Sequence, residues 1–92
     1  MAVGMNDEQE VDATLRAVLV DVLGLPAAQV AAFEPSTSLF GALPEFDSMA
    51  VAGLLTELEE RLGIVIDDHE VDADMLESYG SLLTFTRAKA LQ

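Results

Sequence analysis

Between Leu25 and Asp47 the chain loses helical periodicity, and the two amphipathic stripes flanking this gap constrain what it can fold into. Upstream, Val11, Leu15, Val18, Val22 and Leu25 recur at spacings of four and three, and Leu19 widens their stripe. Asn6 followed by Gln9 resembles a capping box. Asp7, Glu8 and Glu10 stand where a helix dipole favours negative charge, and Gly24 with Pro26 ends the pattern. Downstream, periodicity returns at Ser48: Val51, Leu54, Leu55, Leu58 and Leu62 share one face, Glu57, Glu59 and Glu60 mark the solvated side, and Gly63 closes the helix. The gap holds Pro35, Ser36, Thr37, Ser38, Gly41 and Pro44. It also holds Phe33, Leu39, Phe40, Leu43 and Phe46, apolar anchors that predict a connection folded across its flanking helices.

After Gly63 the run Ile64, Val65 and Ile66 has no second strand to pair with and reads as a packed connector. Asp72 is placed to cap a short helix containing Met75 and Leu76. The stretch Ser81 to Leu91 sets Leu82, Leu83 and Phe85 on a core face, with Arg87 and Lys89 near the C-terminal end of the helix dipole. The predicted fold class is therefore all-α: a four-helix bundle of three longer helices and a short third one, with a long loop between the first and second. Residues 1–5 read as a flexible leader and residues 6–92 as a single domain.

A chain of 92 residues encloses one hydrophobic core. Seventeen acidic residues against Arg16, Arg61, Arg87 and Lys89 give a formal charge of −13, which repels phosphate backbones and anionic lipid headgroups. Nucleic acid and membrane are excluded as expected partners. A basic protein surface is favoured, and self-repulsion points to a monomer. There is no cysteine, hence no disulfide framework and no thiol nucleophile. The N-terminus lacks a secretory pattern and no apolar run approaches the roughly 20 residues of a bilayer span, which predicts a cytoplasmic protein.

Chemistry concentrates at Asp47-Ser48-Met49, the junction of loop and helix. One reading is structural: Asp47 or Ser48 caps the helix by accepting from an orphan backbone N–H. Another makes Ser48 a modification site, its oxygen held where helix N–H groups stabilise a phosphate diester, with Asp47 attracting a modifying enzyme. A third joins Ser48 to the single histidine, His69, and to Asp67 as a hydrolytic triad, although nothing resembling an oxyanion-hole loop precedes Ser48. The acids Asp67, Asp68, Glu70, Asp72 and Asp74 read as a solvated edge. They do not form an EF-hand loop, because Asp72 stands where the sixth-position glycine is required.

Phe46-Asp47-Ser48-Met49, followed by Leu54-Leu55-Thr56-Glu57-Leu58-Glu59-Glu60-Arg61-Leu62-Gly63-Ile64, resembles the acyl and peptidyl carrier protein family. Leu76-Glu77-Ser78-Tyr79-Gly80-Ser81-Leu82-Leu83 is similar to the family's passage between its last two helices. The resemblance implies that a phosphopantetheinyl transferase attaches 4'-phosphopantetheine to Ser48, with Asp47 in that enzyme's recognition. It further implies a thioester of an acyl or aminoacyl group, a ligase that loads it, an acyltransferase or synthase that receives it, and no catalysis by the chain itself. In one respect the sequence departs from the carriers of fatty-acid synthesis, whose corresponding helix opens on an acidic stripe. Here Met49, Ala50, Val51, Ala52 and Gly53 are apolar and small, and acid resumes only at Glu57. Met49, Ala52, Gly53, Thr56 and Glu57 are the expected partner contacts, in a specialised lipid or secondary-metabolite pathway. The competing expectation is an acidic adaptor or nucleic-acid mimic without a prosthetic group.

Overall fold

The computed structural model describes residues 7–91. The capping box expected at Asn6 and the leader over residues 1–5 lie outside the described residues. Three long helices, α1 (Asp7–Leu23), α3 (Ser48–Leu62) and α5 (Tyr79–Ala90), are joined by two short ones, α2 (Ala27–Ala31) and α4 (Ala73–Leu76), and by a 3-10 turn at Asp68–Glu70. The all-α expectation holds, and no strand forms among the described residues. The connection between α1 and α3 departs from expectation, because it contains α2. Five residues are too few to show a helical period, so that helix is invisible to a pattern search.

Helix α1 packs against both α3 and α5. Val22 near its end faces Gly53 near the start of α3, so those two helices run antiparallel, their other ends meeting where Val11 and Thr14 share a groove with Leu62. Tyr79 reaches Asp12 and Arg87 reaches Glu8, which sets α5 antiparallel to α1 as well. Ser48 is consequently at the end of the bundle where α1 finishes, and the C-terminal ends of α3 and α5 are at the other.

The core follows the predicted stripes with local changes. Val11, Leu15, Val18 and Leu19 are buried, as are Leu54, Leu58 and Leu82. In the last turn of α1 Leu23 takes the buried place and Val22 is only partly covered. Phe33, Leu39 and Phe46 from the connection are buried as expected, whereas Phe40 is not. Val65 is exposed too; Ile66 alone of its triplet packs on the core, anchored by an N–H donated to Glu59 Oε2 at 2.7 Å. Helix α5 begins two residues earlier than its apolar pattern indicates, because Ser78 caps it and accepts from Ser81 N. The early start buries Tyr79. Thr86 is also buried, four residues after Leu82 on the same helical face, and its hydroxyl is satisfied by Leu82 O at 2.7 Å; a polar residue type hides that place from an apolar pattern.

The connection is pinned along its length by main-chain bonds. Leu39 and Phe40 donate to Glu77 O and Leu76 O at 2.8 and 3.1 Å, while Tyr79 and Gly80 donate to Thr37 O and Pro35 O at 2.8 and 2.9 Å. Gly80 is required for this approach, since a Cβ there would stand 2.8 Å from Pro35 O. Arg16 secures the other half, donating to Val30 O at 2.6 Å, Ala31 O at 3.3 Å and Phe33 O at 3.2 Å. Its guanidinium lies over the Tyr79 ring, 4.5 Å from the centroid, and pairs with Asp12 at 3.1 Å. Asp12 in turn accepts the Tyr79 hydroxyl.

Burial first, and then the bond to Asp12, raise the Tyr79 pKa well above its ordinary 10.0. A raised folded-state value means that the stabilisation is complete below pH 10.0 and is lost as pH climbs toward the folded value. The chain has one tyrosine, so its ultraviolet titration reads this group alone. Tyrosinate absorbance is expected to stay low through pH 10–11 in the folded protein and to rise together with loss of helical circular dichroism. Ordinary titration near 10.0 in the folded protein would show that the hydroxyl is not held in this way.

Candidate functional site

Ser48 is the first residue of α3, and the preceding Asp47 is its N-cap. With φ −101° and ψ −178° the Asp47 backbone is extended, and its Oδ1 accepts from Ala50 N at 2.8 Å. Asp47 O also receives the first helical bond, from Val51 N at 2.9 Å. The choice left open by the sequence is thereby decided: Asp47 caps the helix. Ser48 is exposed, and its hydroxyl has no hydrogen-bond partner among the described residues. Such a hydroxyl is available to an external enzyme at no cost to the fold.

The loop before Ser48 is not free to wander. Phe46 is buried, its N–H donates to Leu43 O at 3.0 Å, and its ring meets Phe40 edge-on with centroids 6.2 Å apart. A buried aromatic two residues upstream and the capped helix that begins at the serine itself therefore fix the backbone on both sides of it. Asp47 takes Ala50 N, and the remaining N–H groups at the start of α3, with the aligned peptide dipoles, favour an anionic ester near the helix start.

His69 does not join Ser48. It is exposed in the 3-10 turn beyond the far end of α3, a helix of 15 residues and about 22 Å at the standard rise. The acids around it stay dispersed, and no group of three potential metal ligands is found among the described residues. Glu70 is used structurally: Asp67 N donates to it at 2.9 Å and Lys89 at 2.9 Å. The backbone bond first, then Lys89, hold its carboxyl below the usual range. A surface groove of about 510 Å³ is also at this distant end, between α1, the end of α3 and Ala90.

The five expected contact residues separate by orientation. Met49 is 86% exposed, and Ala52 and Thr56 are exposed. Glu57 is bound at 3.0 Å by Arg61, which also holds Asp21 at 2.7 Å. Gly53 faces inward, where an added Cβ would lie 3.3 Å from Val22 Cγ1, so its missing side chain serves the packing of α3 on α1. Ala50 and Val51 likewise pack partly against the core. Of the apolar stretch after Ser48, only Met49 and Ala52 are offered to solvent. Missing from the sequence reading is the Arg16, Asp12 and Tyr79 group, of which the spacing of four between Asp12 and Arg16 was the one legible sign.

A family profile described as the phosphopantetheine attachment site matches residues 13–86, a span that begins within α1 and ends within α5. The chain belongs to the phosphopantetheine attachment-site family. Among solved structures it is similar to a holo acyl carrier protein from Nitrosomonas europaea, determined by solution NMR. The TM-score is 0.75 and the identity 39%, over 87% of this chain and 94% of that one. No match was found among curated proteins. Members of this family are carrier domains and not catalysts, and their prosthetic group is covalent phosphopantetheine. A free exposed hydroxyl at a capped helix start suits that group.

The division of labour between Asp47 and Ser48 has a measurable consequence. Asp47→Ala removes the cap and is expected to cost about 1 kcal/mol. Ser48→Ala is expected to change stability by less than about 0.5 kcal/mol, as for a surface position without partners. Urea unfolding of the two variants checks this, and the reverse order would make Ser48 the cap.

Proposed function

We propose that Ser48 is the residue to which a phosphopantetheinyl transferase attaches 4'-phosphopantetheine, and that the chain then delivers an acyl or aminoacyl group to successive enzymes. The observation that carries this reading is the unpartnered, exposed hydroxyl of Ser48 beside a cap supplied by Asp47. Ser48 Oγ forms the new bond to the arm's phosphorus, the bond from that phosphorus to the nucleotide portion of coenzyme A breaks, and the hydroxyl proton passes to a base on the transferase. When attached, the arm supplies a terminal thiol that holds the cargo as a thioester. Asp47 and the start of α3 keep the attachment point rigid, while its exposure leaves the arm accessible.

Recognition by partners falls to Met49, Ala52 and Thr56, with Glu57 at the edge. A carrier whose first helical turns offer methyl groups and a thioether in place of carboxylates fits a dedicated loading ligase and acyltransferase or synthase better than the general fatty-acid machinery. We place this work in the cytoplasm with the chain as a monomer. In support, no helix of the described residues is long and apolar enough to cross a membrane, and like charges oppose self-association.

Co-expression with a broad-specificity phosphopantetheinyl transferase, followed by intact mass measurement, tests the reading. The wild type is expected to gain the mass of one phosphopantetheine and Ser48→Ala none. A wild type that stays unmodified with several transferases would overturn it and favour an adaptor acting through charge alone.

A further inference from the structure

Phe40 reads in the sequence as a core anchor, yet it is 41% exposed. This exposure is built in. The Phe40 N–H donates to Leu76 O at 3.1 Å, and the amides of Ala42 and Leu43 turn back onto Leu39 O at 3.1 and 2.9 Å. The ring stands edge-on to Phe46, at 79° between planes, and Phe46 is itself buried two residues before Ser48. A fixed backbone and a fixed neighbour therefore hold an aromatic side chain partly in water. Such a ring loses little conformational freedom on docking and brings a large apolar area, the combination found at energetic centres of interfaces.

Four large apolar residues are exposed among the described residues: Phe40, Met49, Val65 and Leu91. Val65 and Leu91 belong to the distant end of the bundle. Phe40 and Met49 both connect to the Ser48 segment, one through its ring contact with Phe46 and the other as the next residue in the chain.

Charge defines the partner further. The four basic side chains are occupied away from Ser48. Arg16 is on Asp12 and the α2 carbonyls, Arg61 on Asp21 and Glu57, Arg87 on Glu8 O, and Lys89 on Glu70. Glu45 and Asp47, on either side of Phe46, are exposed and have no ion pair among the described residues. Along the chain, uncompensated acid at Glu45 and Asp47 thus lies between Phe40 and Met49, and exposed Ala52 follows on α3.

We propose that Phe40 and Met49 are a docking pair seated by the phosphopantetheinyl transferase in an apolar socket, with cations of the transferase facing Glu45 and Asp47. The proposal rests on Ser48 being the attachment residue. It moves the electrostatic part of recognition from the helix to the loop, and gives the aromatic ring of the connection a role in association.

Steady-state kinetics of a broad-specificity transferase on the apo chain test it. Phe40→Ser is expected to raise KM about tenfold, with kcat within about twofold, because the contact forms on association. Phe40→Leu restores most of the affinity. Met49→Ser, at a side chain almost wholly in solvent, raises KM independently of any effect on folding. Glu45→Gln raises KM at low salt and flattens its salt dependence. Val65→Ser, at the other end, leaves both constants unchanged. A modified wild type with KM within twofold for both Phe40→Ser and Met49→Ser overturns the docking pair alone. An unmodified wild type overturns the Ser48 reading with it.

Discussion

The guanidinium of Arg16 joins three parts of the molecule that are distant in sequence. It sits on α1, closes the C-terminal carbonyls of α2 at Val30 and Ala31, reaches Phe33 O beyond them, and covers the Tyr79 ring of α5. Helix α2 has five residues and no side-chain cap, far below the length at which a helix persists alone in water. Its terminal carbonyls need donors, and Arg16 supplies them from a rigid planar group with several N–H bonds to give. Asp12 completes the arrangement by accepting from both Arg16 and the Tyr79 hydroxyl. One ion pair thus orders a segment that would otherwise lose more entropy on folding than its own contacts return.

Everything at the Ser48 end follows from that ordering. With Phe33 positioned, the main chain from Pro35 to Phe40 lies against the α4 to α5 junction and forms the bonds to Leu76, Glu77, Tyr79 and Gly80. Leu39 and Phe46 fill the core from above. The chain then enters α3 in an extended conformation at Asp47, which takes the cap and leaves the Ser48 hydroxyl unused. Exposure of that hydroxyl is a product of how the connection folds, and its rigidity has the same origin. A carrier domain needs both, since the arm has to reach different enzymes from a fixed root.

Much of this was legible in the sequence, for reasons that can be named. Helices α1 and α3 announce themselves through stripes long enough for a period to be read, and Gly63 ends α3 in the left-handed conformation, φ 65°, that glycine adopts readily. Ser48 stood out because periodicity resumes there abruptly after a long gap. Phe40 and Val65 were misread, since hydrophobicity alone does not reveal which side of a turn faces the core. Gly53 admits two readings in sequence, a partner contact or a close approach of another helix, and its neighbour is Val22 of α1. Tyr79 and Arg16 could not be joined from sequence because 63 residues separate them, and only tertiary packing brings a cation over a ring.

On the proposed reading this fold prepares one particular serine for esterification, although Ser36, Ser38, Ser78 and Ser81 are also present. Proteolysis of the holo protein and fragmentation of its peptides in a mass spectrometer locate the arm directly. A phosphopantetheine adduct confined to Ser48 is expected, with the other four serines unmodified. An adduct on any of those four, with Ser48 bare, would contradict it.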